Sequence, residues 1–142
     1  MSVPASQRSH SKLEVILMAR HLAAYTIKIT KNQNVFLPDY NNGITNDIIS
    51  IAKSIYVDCW TANNIYVTYR EDWLERKKLQ ENAARNCNNL LALIQLAQEV
   101  FHLKTKRIKY WGQKTIDVRN KIRAWSSSDS KRYSLVPFSP KE

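Results

Sequence analysis

The chain has 142 residues, only two Gly and four Pro, and a formal net charge of +10 at pH 7. That length suits a single domain burying roughly 68–70% of its unfolded surface. The scarcity of Gly and Pro argues against a turn-rich β sandwich or barrel and for long helices. No apolar run approaches the roughly 18–20 residues of a membrane span, and the opening MSVPASQRSHSKLE has no hydrophobic signal core. A cytoplasmic protein without membrane association is expected.

The charge is uneven. Residues 1–99 carry eleven Lys and Arg against nine acids, whereas residues 100–142 carry eleven against three. Such asymmetry points to a polyanionic partner. Cys59 and Cys87 form no CxxC pair, and His10, His21 and His102 join them at no metal-ligand spacing, so both read as buried, reduced thiols.

In chain order, residues 1–10 are polar and read as a loose tail. Ser11 with Glu14 three residues on forms a capping-box pattern for a first helix over residues 12–32. Its apolar residues fall in two stripes. Leu13, Ile16, Leu17, Ala24 and Ile27 line one side; Val15, Met18, Leu22, Tyr25 and Ile29 line nearly the opposite side. A helix apolar on two sides, in a bundle too small to enclose it, predicts oligomerisation. Arg20 sits inside the first stripe, either as a snorkelling cation or as a partner contact.

Pro38 and Asn42-Gly43 mark a connection, after which Thr45 or Asn46 caps a second helix. Its core stripe is Ile44, Ile48, Ile51, Ile55 and Cys59, and it runs to about residue 63. Residues 65–69 have strand-like composition but nothing to pair with, and are read as a link. Glu71 and Asp72 open a third helix to about residue 101, with a stripe of Ala83, Cys87, Leu90, Ile94, Ala97 and Phe101. Its early cations, Arg76, Lys77 and Lys78, are expected to project beyond the bundle or line its end.

The last helix is the most informative. Over residues 103–125, Ile108, Trp111, Thr115, Val118, Ile122 and Trp125 recur at steps of three and four and draw one apolar stripe. Lys104, Lys106, Arg107, Lys109, Lys114, Arg119, Lys121 and Arg123 surround it, against the single acid Asp117. These eight cations, with Tyr110 on an outward position, form the candidate nucleic-acid or partner-binding set. Lys and Arg neutralise phosphates without reading sequence, and an exposed Tyr can stack on an unpaired base. The serine run 126–130 reads as a linker that stops the helix, and residues 131–142 as an apolar-aromatic tail that docks on a partner or folds back. The expected organisation is thus a tail over 1–10, an antiparallel up-down four-helix bundle over 11–125 and a linker with tail over 126–142.

No P-loop, dinucleotide glycine motif, HExxH or Gly-x-Ser-x-Gly is present, and no nucleophile–base pair is apparent. A non-enzymatic protein with no cofactor and no metal is expected.

Three stretches carry a family resemblance. LEVILMARHLAAYTIKITKNQNVFLP resembles the opening helix and Phe-x-Pro turn of the small bacterial four-helix bundle proteins encoded in ribosomal RNA intervening sequences. GITNDIISIAKSI resembles that family's second helix, and NNLLALIQLAQEV is similar in position and pattern to its third. The likeness covers roughly residues 13–125. The basic last helix and doubly apolar first helix fit one branch best, the accessory variability determinants of diversity-generating retroelements. That resemblance implies a homo-oligomeric, pentameric barrel that binds a reverse transcriptase together with template RNA and cDNA, and supports mutagenic cDNA synthesis. Where the family usually has Asn-Ile-Ala-Glu-Gly, this chain reads Tyr56-Val57-Asp58-Cys59-Trp60. No site residue transfers from a family motif; the site rests on charge. The competing expectation is a protein-interaction adaptor with no direct nucleic-acid role.

Overall fold

The computed structural model describes residues 5–140, with side chains from residue 14 onward. Four α-helices make up the chain: α1 (Ala5–Thr30), α2 (Asn46–Asn63), α3 (Arg70–Val100) and α4 (Thr105–Tyr133). No strand occurs among the described residues, and the 65–69 segment is a link. Each helix packs on its neighbour in sequence, and α4 closes against α1. Pairings fix the directions. Arg76 meets Asp129 while Arg119 meets Asn88, so α3 and α4 are antiparallel. Trp111 meets Thr26 while Lys121 meets Glu14, so α4 also runs antiparallel to α1. These are the relations of an up-down four-helix bundle.

The core follows the helical periods. On α3 every residue of the expected stripe is buried, Phe101 included. On α2, Ile48, Ala52, Ile55, Cys59 and Ala62 are buried, as is Ile44 in the turn just before it, with Ile51 half-buried beside them. On α1 the buried face draws on both expected stripes: Val15, Ile16, Ala19, Leu22, Ala23, Thr26 and Thr30. The core face thus lies between the two stripes: Ile16 comes from the first and Val15 and Leu22 from the second, while Leu17 is 37% exposed and Ala24 and Ile27 are half-buried. Arg20 also points out. Its Nε donates to the Tyr56 hydroxyl at 3.2 Å and its guanidinium lies 5.5 Å from that ring's centre, tying α1 to α2.

Three boundaries differ from those expected. Helix α1 begins at Ala5, within the expected tail, so Ser11 is internal to the helix rather than at its cap; residues 1–4 of that tail and the side chains of Ser11 and Leu13 lie outside the described residues. Thr45 does not cap α2 with its side chain. A 3-10 turn (Pro38–Tyr40) and a π-helical turn (Asn41–Thr45) lead straight into α2, so the Asn46 amide donates to the Asn41 carbonyl and needs no hydroxyl acceptor. The largest difference is at the end of α4, which continues through the serine run to Tyr133.

The cause lies in the register. The buried positions of α4 are Trp111, Thr115, Val118, Ile122, Trp125 and Asp129, the same steps of four and three carried one turn further. Asp129 stays inside because Arg76 is inside with it. Arg76 Nε and Nη2 donate to the two carboxylate oxygens at 2.7 and 3.0 Å, Gln80 Nε2 donates to Oδ2 at 2.8 Å, and the guanidinium lies 5.3 Å from the Trp125 ring centre. Arg76 therefore does not project beyond the bundle: it is 4% exposed. Serine is a mediocre helix former but no breaker, and this bidentate pair holds the extra turns in place. The tail then folds back locally, with Phe138 against Tyr133 and Tyr133 against Trp73.

Candidate nucleic-acid interface

Burial of Trp111, Val118 and Ile122 fixes how α4 is turned, and hence where its cations go. At about 100° per residue, Lys106 and Lys109 point directly away from the bundle. Arg107, Tyr110, Lys114 and Lys121 lean toward α1, while Arg119 and Arg123 lean toward α3. Lys104 lies in the short link before the helix. Eight of the nine residues thus fall into three strips, with Lys104 beside them in the link. All are exposed except Lys114 and Arg119, which are half-buried.

Contacts support this division. On the α1 side, an Arg107 Nη1 donates to the Tyr25 hydroxyl at 3.2 Å, and Tyr25 meets Tyr110 edge-on with ring centres 5.2 Å apart. The Lys114 ammonium lies 5.6 Å from the Tyr110 ring centre. Tyr110 is 56% exposed, so part of its ring stays open. On the α3 side, Arg119 donates to Asn88 Oδ1 at 2.9 Å, and Arg123 stands with Arg85, Ser126 and Ser127 around a groove of about 500 Å³.

Neutralisation is sparse. Among the described residues, Lys121 with Glu14 at 3.5 Å is the one ion pair that any of these cations makes. Asp117, the single acid within the set, instead accepts from Gln113 Nε2 at 2.9 Å. The first turn of α4 contains no acid, and no side chain caps it. Lys104, Lys106 and Arg107 therefore crowd the positive end of the helix dipole, where acids would be favoured. The arrangement costs stability and concentrates positive potential at one end of the bundle.

Away from the cations, burial shifts three titratable groups. Burial pushes the Cys59 thiol far up and the Cys87 thiol up to about 12, the latter despite the opposing influence of Arg119 and Arg123. Both thiols are buried and free, and a protonated, enclosed thiol is a poor nucleophile. Burial also raises Asp58. Among the described residues, no group of three or more His, Cys, Asp and Glu is placed to hold a metal ion, and no helix is long and apolar enough to cross a membrane.

Sequence reasoning missed Arg85, and also Tyr25 and Lys28, which α1 brings beside the start of α4. Their only signal is tertiary. No family model, curated protein or solved structure matches the chain.

Proposed function

We propose that this chain is a non-catalytic, cytoplasmic accessory protein that binds RNA and cDNA through the cations of α4 and holds them beside a reverse transcriptase. The observation that carries the nucleic-acid part is the near absence of counter-charge: seven of the candidate cations stand on α4 and Lys104 just before it, and one of the eight is paired with a carboxylate. Phosphate backbones supply the missing anions at a spacing that a long basic helix can follow. The retroelement setting and the reverse transcriptase come from the family resemblance of residues 13–125, as does the pentameric assembly. Leu17, Val57 and Trp60, the last two at least half exposed on α2, support an apolar contact between subunits or with the polymerase.

That same α2 surface favours a second reading, in which the chain is an adaptor between proteins. A mobility shift with purified protein and structured RNA separates the two. Retarded RNA at moderate salt supports the first reading. Free RNA at micromolar protein, with the polymerase still captured, supports the adaptor.

A further inference from the structure

Where α1 ends and α4 begins, a cavity of about 560 Å³ opens between the two helices, within the roughly 300–1,000 Å³ of ordinary small-ligand sites. Its walls are mainly apolar, built from Tyr25, Ile29, Val35 and Phe36. Its rim carries Lys28, Lys104, Arg107 and His102, and no carboxylate lines it. None of the three cations enters an ion pair among the described residues. Arg107 is held by the Tyr25 hydroxyl, a neutral acceptor that fixes the guanidinium without cancelling its charge and leaves other N–H donors available. Like charges gathered around low-dielectric walls focus a positive potential into the opening. The edge contact of Tyr25 with Tyr110 carries the aromatic wall out to the exposed strip of α4.

An inorganic anion would satisfy the rim and leave the apolar walls empty; an uncharged apolar ligand would leave the rim without a counter-charge. A nucleotide has both parts. We infer that this cavity receives one unpaired nucleotide of a bound strand, its base against Tyr25, Ile29 and Val35 and its flanking phosphates on Lys28, Lys104 and Arg107. The inference rests on the nucleic-acid reading above and adds a place where the strand is held by more than charge.

The test is fluorescence anisotropy on the full chain with a labelled single strand of about twelve nucleotides, and with a strand of equal length and charge whose bases are absent. The unsubstituted protein is expected to bind the base-bearing strand at least about five-fold more tightly, the lower end of what one stacked base contributes. Val35→Trp, which fills the cavity without changing charge, should abolish that preference and leave affinity for the abasic strand unchanged. Lys28→Glu, an exposed position on α1, should weaken RNA binding more than Lys53→Glu, an exposed control on α2, and keeps the test standing if Val35→Trp does not fold. Equal binding of the two strands by the unsubstituted protein, or equal losses for Lys28→Glu and Lys53→Glu, would overturn the pocket while sparing the broader reading. Failure of the unsubstituted protein to bind either strand would overturn both.

Discussion

The two ends of α4 treat charge in opposite ways. At its C-terminal end Arg76 and Asp129 are both buried, joined by two hydrogen bonds, and accompanied by Gln80. At its N-terminal end Lys104, Lys106, Arg107 and Lys109 are exposed and meet no carboxylate among the described residues. A charge taken out of water must be paired, and the pair then dictates where a helix ends. Charges left in water without partners do little for the fold and remain available to a ligand. One end of the helix is thus tied into the fold, and the other keeps its cations exposed.

The comparison breaks most visibly at Asp129. Replacing it with Ala leaves Arg76 buried and unpaired, which should cost about 3–5 kcal/mol in chemical denaturation. Arg76→Met combined with Asp129→Leu should recover most of that loss, since no charge is then left unpaired. A single Asp129→Ala variant as stable as the parent would remove the structural half of the contrast.

Charge reversal at Lys104, Lys106, Arg107 and Lys109 should leave helical circular dichroism unchanged and weaken RNA binding at least about ten-fold. Reversal of Arg119 and Lys121 should weaken it less, because these two already engage Asn88 and Glu14. The opposite ranking would move the interface to the other end of the helix.

The two thiols make the interior sensitive to alkali. In the unfolded chain they titrate near 9.0, whereas burial holds Cys87 up to about 12 and Cys59 higher still. The unfolded state therefore loses these protons first. The thiol contribution is flat below pH 9 and erodes stability as pH rises from 9 toward the folded values, on the order of 1 kcal/mol per thiol per pH unit. Cys59→Ala with Cys87→Ala should lower stability at neutral pH through the cavities created, yet fall less steeply between pH 9 and 11 in urea titrations at successive pH values.

The smallest effect sharpens the contrast most. Lys106→Glu places an acid in the first turn of α4, where the dipole favours it, and should raise the thermal midpoint by roughly 1–3 °C. The same change should weaken RNA binding. Stability and affinity moving in opposite directions is the signature of a charge kept for binding.

Much of this was readable from sequence because period and burial agree. The stripes of α3 and α4 lie in the core where their spacing puts them, and the exposed cations of α4 follow once Trp111 is placed inside. The serine run misled because composition outweighed register: Asp129 continues the four-three spacing, but an acid on an apolar stripe reads as an exit until Arg76, 53 residues away, is known to face it. On α1 the core face lies between the two stripes, taking Ile16 from one and Val15 and Leu22 from the other, since a helix that packs on two neighbours needs a face wider than one period suggests. The cavity at the end of the bundle was not legible at all. Lys28 and Lys104 are far apart in sequence, and only the antiparallel packing of α1 on α4 brings them to one rim.

The central claim is that unpaired cations on α4 bind a phosphate backbone, and the most direct test is the salt dependence of RNA affinity. With purified protein, the logarithm of the association constant should fall linearly with the logarithm of salt concentration, and reversal of the four N-terminal cations should flatten the slope by about 0.7 per lost single-strand phosphate contact. An affinity that does not change with salt would contradict the account.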